Sequence, residues 1–189
     1  PTATPGGDGP SADPEQGEGM LEMDQAQVDA QIDDLYEKLK EYVSSQQGTQ
    51  GEISVTRGDG KVFIAFNQSV FFDGDPVLDA VSEMLSAASD AIDEVRVLGH
   101  TAQASPNAIN NPKTDRTLSS QRATNVVIYV QEHSTLDPAR LVSEGIGQWR
   151  PIADNSTSEG RAKNRRVEMI VSGRNIEEEL KNGIQQFET

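Results

Sequence analysis

The first regular pattern of hydrophobic residues begins at about Asp24. The intervals between apolar side chains alternate between four and three residues, which places them along one narrow stripe of a helix. We therefore predict a helix over residues 24–47. The stripe consists of Val28, Ile32, Leu35, Leu39 and Tyr42. Such a stripe needs a partner, and the spacing is compatible both with packing on the protein's own domain and with a helix pair in a dimer.

Two extended segments follow and enclose a tight turn. Residues 53–56 alternate between apolar and polar, and residues 62–66 are mostly apolar. Between them, the Asp59-Gly60 pair supplies the positive φ that a tight hairpin needs, so we predict a β-hairpin. Pro76 then suits the start of a helix. We assign the buried face of that helix to Val77, Val81, Leu85, Ala88 and Ile92.

Strands and helices continue to alternate in the rest of the chain. Residues 100–115 hold three Asn and two Pro without periodicity, which indicates a long loop of the kind that often binds ligands. The other predicted elements are strands at 95–99, 140–145 and 166–171, a helix from about Thr117 to Glu132, and a C-terminal helix over 174–189. This order predicts an α/β fold, a sandwich with the helices on one face of the sheet.

The amino-acid composition excludes several kinds of partner and site. The net charge is −15 with a pI near 4.4, so nucleic acid would be repelled and is not an expected partner. The chain has no cysteine and only two histidines, which excludes disulfides and leaves too few ligands for a histidine-based zinc site. Residues 1–23 are rich in Pro, Gly and acidic residues, so we predict a disordered linker. No apolar run approaches the roughly 20 residues that span a bilayer, so we expect the chain as given to be soluble.

One pair of residues suggests an anion site. Ser119 and Arg122 are three residues apart in the first turn of the predicted helix, so they project from one face. A cation at a helix N-terminus opposes the helix dipole, which makes sense if an anion binds beside it. Backbone N–H groups, the hydroxyl and the guanidinium group would together suit a carboxylate. The alternative is that Arg122 forms an ion pair with a nearby acid such as Asp115.

A second candidate is the run from Arg150 to Arg166, which holds five basic residues against Asp154 and Glu159. A positive region within so acidic a chain can attract a negatively charged ligand. Alternatively, Arg165 or Arg166 pairs with an acid of its own strand.

A third candidate is His100, at the carboxyl end of a predicted strand, where ligands often bind in open α/β sheets. No Ser, Cys or metal partner for this histidine can be identified, so a structural role is the more natural interpretation.

Three motifs occur in the order seen in a known family. They are Gly99-His100-Thr101, then Leu118-Ser119-x-x-Arg122-Ala123, and then a long motif that runs from Gly145-x-Gly147 through Asn155, Gly160-Arg161 and Asn164-Arg165-Arg166 to Glu168. With these motifs, residues 51–173 resemble the OmpA-like peptidoglycan-binding family. The resemblance implies a mixed sheet of βαβαβ type, a non-catalytic role, no cofactor, and the peptide stem of peptidoglycan as ligand, typically at a diaminopimelate residue.

Within that family, the chain resembles MotB-type flagellar stator subunits. The features that carry this likeness are the hairpin at Asp59-Gly60, the Phe71-Phe72-Asp73 segment and the helix over 24–47. The likeness implies the extracytoplasmic part of a single-pass membrane protein that anchors an ion-driven motor to the cell wall. It also implies a homodimer and a MotA-like membrane partner. The alternative is the wall anchor of an OmpA/Pal-type envelope protein without a role in motility.

The family binds its ligand through an Asp directly after the Gly-His-Thr motif and through the Arg of the second motif. Here Ala102 stands where that Asp is expected, whereas Arg122 is retained. We hypothesise that Asp115 replaces the missing carboxylate, and the rival hypothesis is an altered or silent site. The peptidoglycan-binding residues that we predict are Thr101, Asp115, Leu118, Ser119, Arg122, Asn164 and Arg165.

Overall fold

Helices and strands alternate along the part of the chain that the computed structural model describes, residues 23–46, 53–67 and 74–187. The elements in chain order are α1 (Gln25–Ser45), β1 (Ile53–Gly58), β2 (Lys61–Asn67), α2 (Pro76–Ala87), β3 (Ile92–His100), α3 (Pro112–His133), β4 (Leu141–Gly147), α4 (Ser158–Asn164), β5 (Arg166–Gly173) and α5 (Ile176–Phe187). The predicted linker, apart from Met23, and the Phe71-Phe72-Asp73 segment lie outside the described residues.

The strands form one mixed sheet in the order β1-β2-β5-β3-β4. β3 and β4 pair in parallel, whereas the other neighbouring strands are antiparallel. The predicted hairpin joins β1 to β2, and Gly58 pairs with Lys61 across its turn. Asp59 and Gly60 have φ angles of 52° and 71°, the left-handed conformation that a two-residue hairpin turn requires. The mixed α/β architecture is therefore confirmed.

The core lies between one face of this sheet and the helices α1, α2 and α3. Along β2, Val62, Ile64 and Phe66 are buried and belong to the core, whereas the intervening Phe63 is 38% exposed on the opposite face. The buried side chains of α1, α2 and α3 join the same cluster. The predicted placement of helices on one face of the sheet is thus confirmed for these three helices.

Helix α1 packs on the protein's own sheet. Its stripe residues Val28, Ile32, Leu35 and Leu39 are all buried in the common core. Burying a large aliphatic side chain contributes about 1.5–3 kcal/mol, so this contact holds the helix firmly on the domain. The helix begins with a capping box, in which Asp24 accepts from the Gln27 amide at 2.8 Å and donates its own amide to the Gln27 side chain at 2.9 Å.

Two predicted element boundaries were wrong. Helix α2 ends at Ala87, and Ile92, which we assigned to its face, begins β3 instead. Helix α3 begins at Pro112 rather than near Thr117, with Asn111 as the capping residue that accepts from the amides of Lys113 and Thr114. An Asn-Pro pair is a helix start signal as well as a loop signal, because Pro needs no hydrogen bond at the first helical position.

The corrected start of α3 changes the role of its N-terminus. Ser119 and Arg122 lie beyond the first turn of the helix, so the free N–H groups at its start cannot join them around one anion. The cap at Asn111 already satisfies two of those N–H groups.

Among the helices of the described ranges, none combines the length and the apolar character needed to cross a membrane.

Candidate functional site

A cavity of about 480 Å³ opens where β3 ends, between the loop 101–111 and the helices α3 and α4. The carboxyl end of a sheet strand and the loop that follows it are typical positions for a ligand site. The residues that line the cavity are Thr101, Ala102, Ala104, Asn110, Asn111, Thr114, Asp115, Leu118, Arg122, Arg161 and Arg165.

Three arginines give the cavity its charge. Arg122 comes from α3, Arg161 from α4, and Arg165 directly follows α4. Arg161 donates to the Asn155 carbonyl oxygen at 2.9 Å. Within the described residues, the guanidinium groups of Arg122 and Arg165 have neither an ion pair nor a hydrogen bond. Burial, and to a smaller extent the positive charge of the neighbouring Arg165, lowers the pKa of Arg122.

Asp115 lines the cavity but is bound to the protein on both oxygens. Its Oδ1 accepts from Thr101 Oγ1 at 2.5 Å and from Asn110 Nδ2 at 2.9 Å, and its Oδ2 accepts from the Gln148 amide at 3.0 Å. The residue is only 3% exposed. The carboxylate therefore joins the end of β3, the binding loop and the segment after β4. The predicted alternative, an ion pair between Asp115 and Arg122, is absent from the described chain.

Asn110 fixes the shape of the loop 101–111. Its side chain donates to the Ala102 carbonyl oxygen at 2.9 Å and accepts from the Ala104 amide at 3.0 Å. Its own amide donates to Gln148 Oε1 at 3.0 Å. Because these bonds tie the two ends of the loop to each other and to the neighbouring segment, the wall of the cavity is formed without a ligand.

Ser119 and Asn164, two of the predicted site residues, do not line the cavity. Ser119 is fully buried, where its hydroxyl accepts from the Gly147 amide at 3.1 Å and donates to the Arg116 carbonyl oxygen at 3.1 Å. Asn164 is also fully buried, and its Oδ1 accepts from the amides of Ile152 and Ala153 at 2.8 and 2.9 Å. The structure gives both side chains internal partners that position the backbone next to the cavity.

His100 is buried at the end of β3, directly before Thr101 of the cavity lining. It is 1% exposed, and its Nε2 lies 3.3 Å from Glu168 Oε2. Arg166 Nε donates to Glu168 Oε1 at 2.6 Å. The imidazole of His100, followed by Arg166, lowers the pKa of Glu168 to about 2. Arg166 thus pairs with an acid of its own strand, whereas the neighbouring Arg165 lines the cavity.

The structure brings together five of the seven predicted site residues: Thr101, Asp115, Leu118, Arg122 and Arg165. It adds Arg161, which sequence analysis had placed in the basic cluster 150–166 but not in the site. It also adds Asn110, for which the absence of periodicity in its loop gave only a general signal. No group of three or more residues with metal-binding side chains occurs in the part of the chain that is described.

Comparison with known proteins identifies a family, and the matched region contains the residues that line the cavity. Residues 73–165 match the family model described as the OmpA family. The chain is 38% identical over 96 residues to peptidoglycan-binding protein ArfA of Mycobacterium tuberculosis, covering 51% of this chain and 27% of that protein. It is 28% identical over 158 residues to Motility protein B of Bacillus subtilis, covering 84% of this chain and 58% of that protein.

A solved structure supports this result. The crystal structure of a putative MotB-like protein from Desulfovibrio vulgaris has a TM-score of 0.60 at 25% identity and covers 79% of this chain and 99% of that one. The chain spans 27% to 58% of the length of the curated relatives it matches. The family model, the motifs and the fold agree, and the chain carries a domain of the OmpA family.

Proposed function

We propose that this chain is a non-catalytic peptidoglycan-binding domain that anchors an envelope protein to the cell wall. The observation that supports this most directly is the pair Arg122 and Arg165, which line one cavity and form no ion pair with an acid of the described residues. Arginine binds planar carboxylates through two parallel hydrogen bonds, so a carboxylate of the wall peptide suits this pair. Binding of this kind needs no cofactor.

The similarity to peptidoglycan-binding protein ArfA supports the same ligand. Its aligned length of 96 residues is about that of the matched OmpA family region, which contains the whole cavity. In this proposal, Thr101, Leu118, Arg122 and Arg165 contact the wall peptide. Ser119 and Asn164 do not contact the peptide, and instead their hydrogen bonds position the backbone next to the cavity.

We further propose that the wall anchor belongs to a flagellar stator of the MotB type. The alignment with Motility protein B extends over 158 residues, well beyond the family region 73–165, and so takes in segments outside the ligand site. In this role the domain stands on the extracytoplasmic side of a single-pass membrane protein. It works as a homodimer with a MotA-like membrane partner, so that ion-driven torque acts on the rotor.

The alternative is a wall anchor of an OmpA/Pal-type envelope protein without a role in motility. Swimming assays on a strain that lacks its own MotB-type protein, complemented with the full-length protein, separate the two. Restored swimming would support the stator role. Normal wall association without swimming would favour the alternative.

A pull-down on purified peptidoglycan sacculi tests the binding function. We expect retention of the wild-type protein and a loss of about tenfold or more in the Arg122→Ala variant, because a hydrogen bond to a charged group is worth about 1.5–3 kcal/mol. Arg57→Ala is the matched control, since Arg57 pairs with Asp33 at the opposite edge of the sheet. Equal retention of both variants would contradict the proposed site. Soluble wall fragments released during the incubation would contradict the non-catalytic role.

A further inference from the structure

We propose that the cavity selects a wall peptide whose diamino acid side chain is acylated over one whose amine is free and charged. This inference rests on the proposed function, since it specifies the chemistry of the ligand in the same site. It concerns the part of the ligand that lies beside the carboxylates bound by Arg122 and Arg165. A side-chain amine becomes acylated when two wall peptides are cross-linked, so the proposal connects the cavity to cross-linked peptidoglycan.

The first step is the charge of the cavity wall. Of the described residues that line it, three are arginines and one is an acid, Asp115. The pKa of Arg122 is already lowered by burial and by Arg165, so a third cation brought between them would be repelled. Two guanidinium groups without a partner instead favour a ligand with two carboxylates. An ammonium group in the same space would need a carboxylate as its ion-pair partner.

The second step is the hydrogen bonding of Asp115, the acid found in the described cavity lining. Asp115 is almost completely buried and accepts from Thr101, Asn110 and the Gln148 amide. Its Oδ1 already accepts two hydrogen bonds and its Oδ2 accepts one, so an ammonium ion could use only the remaining acceptor position of Oδ2, on a side chain that is 3% exposed. Reaching that position would require the loop to move, which would strain the hydrogen bonds that hold it. We therefore assign Asp115 a positioning role in the binding loop. The earlier hypothesis, that Asp115 supplies the missing carboxylate to the ligand, is the competing prediction.

The third step is the apolar part of the lining. Ala102 directly follows Thr101 at the end of β3 and lines the cavity, together with Ala104 and Leu118. Leu118 is 40% exposed, so its side chain is available to a ligand. An ammonium group against methyl groups would lose water without gaining a hydrogen bond, whereas the methylene and carbonyl groups of an amide lose little. The lining therefore accepts the acylated side chain and disfavours the charged one.

Two synthetic stem tetrapeptides test this selectivity. Both contain meso-diaminopimelate, with the side-chain amine free in one and acetylated in the other. We measure their affinities for the wild-type protein by isothermal titration calorimetry. We expect the acetylated peptide to bind about tenfold more tightly. An ammonium group without an acidic partner, next to other cations in a partly buried site, should weaken binding by roughly that factor.

A substitution at Ala102 should remove the expected preference. Ala102→Asp places a carboxylate in the cavity and should improve the relative affinity for the free-amine peptide by about tenfold or more. Ala139→Asp is the matched control, because it adds the same charge at an exposed position outside the cavity. Asp115→Asn should lower the thermal stability of the domain and leave the ratio of the two affinities unchanged, as expected of a positioning residue.

The outcomes separate this proposal from the proposed function. Tighter binding of the free-amine peptide, or equal binding of both peptides by the wild type, would overturn the selectivity while leaving peptidoglycan binding intact. A changed affinity ratio in Asp115→Asn would overturn the positioning role and favour Asp115 as the ammonium partner. Binding of neither peptide, together with no retention on sacculi, would overturn the proposed function itself.

Discussion

Replacing Gly99 by alanine should destabilise the domain, because helix α3 lies directly against the backbone of β3 at this residue. A Cβ atom on Gly99 would lie 1.9 Å from the Ser119 carbonyl oxygen and 2.8 Å from its carbonyl carbon. Both contacts are with backbone atoms, so rotation of a side chain cannot relieve them. Helix α3 would have to move away from the strand by on the order of 1 Å, which a close-packed core resists.

The expected cost follows from this geometry. Overpacking a core typically costs about 1–3 kcal/mol, and we expect the upper end, about 3 kcal/mol, since a whole helix must shift. For a domain of this size the loss corresponds to a decrease in Tm of roughly 6–12 °C. Arg122 lies on the same helix, one turn beyond Ser119, so retention on sacculi should decrease as well.

Thermal unfolding followed by far-UV circular dichroism measures the effect. Gly183→Ala is the matched control, since a Cβ atom there meets nothing within 4 Å. Residue 183 lies in helix α5, where alanine is favoured over glycine by up to about 1 kcal/mol, so the control should be as stable as the wild type or slightly more so. A Tm of Gly99→Ala within about 2 °C of the wild type would refute the close contact between α3 and β3.

Two further predictions concern the pH dependence of stability and the packing of the helices. The pKa of Glu168 is lowered to about 2, so its stabilising contribution is complete above its usual pKa of 4.5 and is lost as the pH falls toward 2. Because this carboxylate is partly exposed, we expect a loss of about 1–2 kcal/mol in urea unfolding over that range, and an unchanged acid sensitivity in Glu168→Gln would contradict it. Leu35→Ala should cost about 2–5 kcal/mol of unfolding free energy, since Leu35 lies on α1 and is buried in the core. Leu180→Ala, at a side chain that is 56% exposed, should cost less than about 0.5 kcal/mol, and similar costs for both variants would show that the burial of α1 is wrong.

Much of the architecture could be predicted from local patterns. The Asp59-Gly60 pair gave the hairpin, because few other residue pairs tolerate two positive φ angles in succession. The three-and-four spacing gave α1, since that period matches a helical stripe. The start of α3 was predicted too late, because the Asn111-Pro112 pair begins helices and also interrupts them. Only the surrounding structure decides between the two roles.

The amino-acid sequence shows which residues carry charge, and its motifs place Arg122 and Arg165 in the predicted site. Which polar groups already have hydrogen-bond partners emerges only from the folded structure. Asp115 accepts from residues 101, 110 and 148, which lie 14, 5 and 33 residues away along the chain, and each of its two oxygens takes part in these bonds. Ser119 faces the backbone of β3 and β4 rather than the cavity. Sequence spacing fixes the face of one helix, whereas the contacts across several elements determine whether a polar side chain remains free for a ligand.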